Sequence, residues 1–380
     1  MLRIPVRPRF PLVALALSLG GCVSTADTAG APAPVDFGVP GPFHPARHTT
    51  TLTDAARDRP LTLEIWYPSE EVAGSAASIL DLVVQTDDRA TYAALLAAAP
   101  PDCPSGTTTA VPDRTVAPGA PWPLIAMSHC DACTRFSTVA VAEHLASHGF
   151  VVVAPDHAGN TLFDDLAGVG LPLDTDTLAL RAGDLRFVID ASLGLVPGLD
   201  VPGLEVDAAR VGVFGHSFGA VTAGMVIQEA AAGGVAPIAG MLVGAPPENP
   251  LLPGVAMENL DIPLLFEILA EDHSIGSFGN TLIEANYAAA PGPAWQVTLA
   301  DAGHWSPSDL VGLTEGFMPG CGEDTRDLGG EPFTYLAAAE GRALTGAVAA
   351  AFFARYVQGE KAGGDWLADG GDARLDVTSR

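Results

Sequence analysis

The sequence predicts an α/β fold with a mostly parallel central sheet, helices on both faces and no large cap domain. Three observations predict it. From residue 122 to residue 359 strand-like and helix-like segments alternate. The strand-like segments are continuous apolar runs, such as FVVVAP at 150–155, which marks strands buried on both faces. Apolar residues make up 48% of the 380-residue chain against 17% charged, ample for one large core.

The elements follow in order. HTTTLTD (48–54) and PLTLEIWYPS (60–69) are β-rich and flank a turn, so a hairpin is expected. Residues 69–121 are irregular and read as a surface insertion with a helix near TYAALLAAA (91–99). WPLIAMSH (122–129) is a strand, TRFSTVAVAEHLASHG (134–149) a helix ended by Gly149, and FVVVAPDH a strand. After a loop at 158–176 come a helix at 176–194, the strand ARVGVFGHS (209–217) and a helix at 218–234. Strands at 237–247 and 262–272, a helix at 280–290, the strand AWQVTLADAGH (294–304) and a last helix at 334–359 complete the pattern. One domain over 37–360 is expected, with 361–380 as a loosely ordered tail.

The N-terminus reads as a secretory signal over residues 1–21: three arginines, a short apolar run from Phe10 to Leu19, then Leu19-Gly20-Gly21-Cys22. Cys22 after small residues is similar to a bacterial lipobox, in which its thiol would be acylated; plain signal cleavage is the alternative. Residues 22–36 would then be a tether, and the protein an exported lipoprotein, by analogy at the outer membrane, touching a membrane only through that anchor. Cys103, Cys130, Cys133 and Cys321 remain as candidates for two disulfides, with the pairing open and a redox role for Cys130-x-x-Cys133 as the alternative. A net charge of −27 argues against nucleic acid as a partner.

Chemistry concentrates at GHSFG (215–219), where an apolar strand meets a helix. With 42 glycines in the chain the pentapeptide alone is weak; its place between strand and helix is the stronger signal. A nucleophile elbow needs that arrangement, with Ser217 exposed on the turn and Gly215 and Gly219 leaving room for strand and helix. A serine needs a base, and the base an orienting acid. Asp272 and His304 each follow a later apolar strand, in the order serine, acid, histidine. Glu271, Asp301 and Glu248 compete with Asp272 as the acid. The oxyanion N–H donors expected are Phe218, after the nucleophile, and Asp131, in the loop after PLIAMS. His144 and His148, spaced i, i+4, allow a metal reading, but a favourable charge at a helix C-terminus is the simpler one; no metal site and no cofactor are expected.

RPLTLEIWYP, PLIAMSH, EHLASHGFVVVAPDHAGNT, RAGDLRFVID, GHSFGA and AGHWSPSDL, spread over residues 58–310, together resemble the α/β-hydrolases. The branch is that of bacterial dienelactone-hydrolase-like and platelet-activating-factor-acetylhydrolase-like proteins, with cutinase-like polyester hydrolases more distant. The resemblance implies a serine carboxylic-ester hydrolase with Ser217, Asp272 and His304 as its triad and Asp131 and Phe218 as backbone oxyanion donors. Small or short-chain esters are the expected substrates. A lipase, polyester hydrolase or acyltransferase with the same triad, or a lipid-anchored binding protein on the same scaffold, are the alternatives. The chain departs from the resemblance at Ser128-His129-Cys130, where relatives carry glycine third, so a reshaped oxyanion loop is expected, drawn in by a disulfide from Cys130 or Cys133.

Overall fold

The computed structural model describes residues 35–72, 76–230 and 233–380. The signal segment, Cys22 and the tether up to residue 34 lie outside them.

Ten strands form one sheet. In chain order they are β1 (His44–Asp54), β2 (Arg59–Ser69), β3 (Val111–Pro112), β4 (Trp122–Ser128), β5 (Val151–Pro155), β6 (Val206–His216), β7 (Ala239–Val243), β8 (Leu264–Leu269), β9 (Ala294–Leu299) and β10 (Leu375–Ser379). Across the sheet the order is β10-β9-β8-β7-β6-β4-β5-β2-β1-β3. β5, β4, β6, β7, β8 and β9 run parallel to one another, while β2 beside β5 and β10 beside β9 run antiparallel. The expected hairpin is β1–β2, in register from His44 opposite Ser69 to Asp54 opposite Arg59.

The helices are α1 (Thr86–Ala98), α2 (Val139–Ser147), α3 (Leu162–Leu166), α4 (Thr175–Ser192), α5 (Phe218–Ala230), α6 (Gly276–Ala289), α7 (Ala338–Phe353) and α8 (Lys361–Ala368). Strand side chains alternate between two cores. Ile125, Met127 and Val152 face α2 and α7 on one side, while Leu124, Ala126, Val151 and Val153 face α4 and α5 on the other. That two-sided burial is what the continuous apolar runs encode. Between β5 and β6 the chain makes only α3 and α4, so no cap domain covers the sheet edge.

Three expectations need correction. The tail 361–380 is ordered: α8 buries Leu367, and β10 pairs antiparallel with β9 from Leu375 to Ser379, forming the last strand on that side of the sheet. The insertion 69–121 is built into the body. Ile79, Leu82 and Tyr92 are fully buried, β3 adds to the sheet, and Cys103 is bonded to Cys321. Finally, α2 starts at Val139, not near Thr134. The Arg135 N–H is taken by the Asp156 carboxylate at 2.7 Å and the Ser137 carbonyl by the Asp309 N–H at 2.7 Å, so 134–138 stays a loop.

The chain passes from β4 outward to β5, then crosses back to β6 on the other side of β4. At such a switch point the loops leaving the two strands part, opening a crevice at their carboxyl ends. The loop with Asp131 leaves β4 there and Ser217 leaves β6, with Ser128 paired opposite Gly215.

Candidate active site

Ser217 sits at φ = +56°, a strained left-handed conformation for a residue with a Cβ. The elbow exists because its glycines let it close. A Cβ on Gly215 would come within 2.0 Å of the Gly219 carbonyl, and one on Gly219 within 2.0 Å of the Ser128 carbonyl. The Ser217 N–H donates to Val243 O on β7 at 2.8 Å, which ties the turn to the neighbouring strand.

The structure brings Ser217, His304 and Asp272 together. Ser217 Oγ is 2.8 Å from His304 Nε2, and His304 Nδ1 is 2.7 Å from Asp272 Oδ2. Asp272 Oδ1 accepts the Ser274 and Ile275 N–H groups, each at 3.0 Å, so both its oxygens are held. Asp272 and His304 are buried, whereas Ser217 is partly open. The competing acids are occupied elsewhere. Arg326 grips Glu271 and Asp301, each at 2.6 Å, and Glu248 accepts the Met257 N–H at 2.6 Å.

His216 escaped the sequence reading. Its Nε2 donates to the His304 carbonyl at 2.8 Å, and its ring lies 5.2 Å from the His304 ring. Burial, then the nearby His304, push its pKa down to about 3, so it braces the loop of His304 as a neutral ring. Its signal was a histidine inside an apolar strand end, with no polar surface to explain it.

Asp131, on the loop after β4, and Phe218, the first residue of α5, border the crevice. Among the described residues neither backbone N–H makes a hydrogen bond within the protein. The Asp131 carboxylate is turned aside, accepting from Asn160 Nδ2 at 2.8 Å. Cys130 is bonded to Cys133, and the positive φ of this loop falls on Ala132 (+49°) rather than on Cys130. The four cysteines thus pair 103–321 and 130–133.

His144 and His148 each bond to backbone. Their Nε2 atoms donate to the carbonyls of Phe37 (2.9 Å) and Val39 (3.1 Å), pinning the chain's entry segment. Burial lowers His144 to about pKa 4, so it is a neutral bracket and not the helix-end charge expected. Among the described residues no group of three or more His, Cys, Asp or Glu converges as metal ligands would.

Ser217 borders an apolar cleft of about 260 Å³. Phe218, Val221, Leu252 and Ile275 line it, and Leu173, Leu251 and Phe278 stand exposed at its rim.

Residues 52–163 match the family model of platelet-activating factor acetylhydrolase, isoform II. That stretch runs from the hairpin through the Cys130–Cys133 loop to α3 and stops short of Ser217. A solved structure of a ferulic acid esterase from Streptomyces cinnamoneus matches with a TM-score of 0.61 and 24% identity, over 84% of this chain and 91% of that one. The fold is that of the α/β-hydrolases. No curated protein matches the chain. In α/β-hydrolase terms, the elbow after β6, the acid after β8 and the histidine after β9 occupy the sheet's carboxyl edge in the fold's usual order.

Proposed function

We propose that this α/β-hydrolase is a serine carboxylic-ester hydrolase that works through an acyl-enzyme. The observation that carries the reading is the unbroken hydrogen-bonded chain Ser217–His304–Asp272, ending in a strained serine at the mouth of an apolar cleft. His304 Nε2 takes the Ser217 proton as Oγ bonds to the ester carbonyl carbon. The N–H groups of Phe218 and Asp131 hold the oxyanion. The carbonyl re-forms, the C–O bond to the alcohol breaks, and His304 gives its proton to the leaving alkoxide. Water then repeats the sequence on the acyl-enzyme, releasing the acid and restoring the Ser217 hydroxyl. Asp272 keeps the His304 Nδ1–H tautomer and offsets the positive charge that the ring acquires.

The cleft is at the small end of ligand sites and neutral in its lining, which favours short aliphatic or single-ring acyl groups. The N-terminal pattern around Cys22 supports export and lipid anchoring as part of the same proposal.

The test is hydrolysis of p-nitrophenyl esters of increasing acyl length, with a feruloyl ester beside them, by wild type and Ser217→Ala. Turnover that vanishes in Ser217→Ala is the expected result. Equal turnover in both, or none by the folded wild type, would refute the reading; the second outcome would favour a binding scaffold.

A further inference from the structure

Behind the loop that leaves β4 lies a buried polar cluster that takes no part in the proton transfers above. Arg181 on α4 is fully buried. Its guanidinium donates to the carbonyl of His129 and, at 3.4 Å, to that of Cys130. It also reaches Asn160 Oδ1, Ser128 Oγ at 3.2 Å and Thr222 Oγ1 at 3.3 Å. Thr222 in turn donates to the Phe218 carbonyl at 2.9 Å. The Cys130 carbonyl has a second donor, Nδ1 of His129, at 2.7 Å. His129 can serve so because its Nε2 accepts the His157 N–H at 3.1 Å, which sets the tautomer. Burial, then the Arg181 charge, hold the His129 ring neutral, well below its ordinary pKa.

The Cys130–Asp131 peptide is trans, so its C=O and N–H point in opposite directions. Two donors draw the Cys130 carbonyl toward the interior. The Asp131 N–H must then face the other way, where it meets no partner among the described residues. The disulfide to Cys133 holds the same residue by its side chain.

We propose that Arg181 and His129 are positioning residues that aim the Asp131 N–H at the oxyanion. Through Thr222, and by lying 4.5 Å over the Phe218 ring, Arg181 braces the second donor as well. The proposal rests on the acyl-enzyme reading.

The experiment compares wild type with His129→Ala, His129→Asn and Arg181→Lys. His129→Asn keeps an N–H donor near the Nδ1 position; Arg181→Lys keeps the charge and loses the fork. Two quantities are measured: kcat and KM on p-nitrophenyl acetate, and the affinity of a trifluoromethyl ketone that forms a hemiketal oxyanion on Ser217. Loss of a whole oxyanion donor lowers kcat about 10²–10³-fold. A misaimed donor is expected to lower it about 10–100-fold in His129→Ala and Arg181→Lys, with KM within about twofold. Ketone affinity should weaken in the same proportion, and His129→Asn should recover most of both. A merely structural role would lower the melting temperature and leave kcat per folded molecule and ketone affinity alone. That result, or a fall in kcat with unchanged ketone affinity, overturns the proposal. If His129→Ala does not fold, Arg181→Lys and His129→Asn decide by the same two readouts. A wild type without ester turnover removes the acyl-enzyme reading and this proposal with it, and so is distinguishable from failure of the clamp alone.

Discussion

Two Ser–His–Asp chains run through the described residues. One is Ser217–His304–Asp272. The other is Ser128–His157–Asp184, with Ser128 Oγ 3.0 Å from His157 Nε2 and His157 Nδ1 3.1 Å from Asp184 Oδ2. Residue types and atoms match; three physical circumstances separate the chains. Ser217 is strained at φ = +56° and opens to a cleft, whereas Ser128 ends β4 in buried, extended backbone. Ser217 Oγ has its lone pairs free of cationic donors, while Ser128 Oγ already accepts from Arg181. Asp272 is held by two backbone N–H groups, which leaves its charge for His304. Asp184 instead faces Arg57 at 2.9 Å and Arg59 at 2.6 Å, so its charge is spent on guanidiniums. Burial alone would push the Asp184 carboxyl up; hydrogen bonds from His157 and Arg59 outweigh that and bring it to about pKa 2. The triplet of residues is therefore not enough to mark a site. Strain, access and an unspent carboxylate set the Ser217 chain apart as the one proposed to act.

Substitutions in both chains test this contrast, and the largest effect belongs to the open one. Ser217→Ala should lower kcat about 10⁴–10⁶-fold with little change in stability, by ester assay and thermal melt. Asp272→Asn should follow at about 10⁴-fold, through the wrong His304 tautomer. In the buried chain the readout reverses. Asp184→Asn leaves Arg59 without its buried carboxylate, while Arg57 keeps Asp54, and should destabilise the fold by about 3 kcal/mol, read as a lower urea midpoint. Ser128→Ala should cost about 1–3 kcal/mol and keep turnover within about tenfold. A Ser128→Ala variant as inactive as Ser217→Ala would erase the distinction.

The buried chain also predicts a pH dependence. Burial, then Arg181, bring His157 to about pKa 4 from 6.5. Between those values the unfolded chain binds more protons than the folded one, so stability falls as pH drops through the window and levels off below it. Asp184, depressed to about 2 from 3.8, adds a further loss as pH falls from about 4 toward 2. His144 and His216 add losses of the same sign, and Glu267 and Asp309, pushed up to about 8 and about 7 by burial, oppose them. The His157 share is therefore read as the difference in urea midpoint between wild type and His157→Asn, which should shrink as pH falls from about 7 to about 3. The smallest effect is at the cleft rim. Phe278→Ala should shift the preference between adjacent acyl lengths by at most about tenfold, seen in kcat/KM ratios.

The sequence by itself determined the hairpin, the alternating strands and helices from residue 122 onward in outline, the glycine-flanked turn at Ser217 and the order in which serine, acid and histidine leave the sheet. Each is local: apolar runs, a glycine pair, and loops at strand ends. What only the tertiary structure decided joins residues far apart in the chain. Arg326, some 55 residues after Glu271, draws that carboxylate and Asp301 away and leaves Asp272 to face His304. The disulfide partners, the pairing of β10 with β9 and the neutral brackets His144 and His148 are of the same kind. So is the clamp of Arg181 and His129 on the Cys130 carbonyl. In the sequence Arg181 is one polar residue on a helix, and only packing put it behind the loop it holds. Local patterning reports which face a residue shows; which group meets it there is set when the sheet closes and distant charges must find partners away from water.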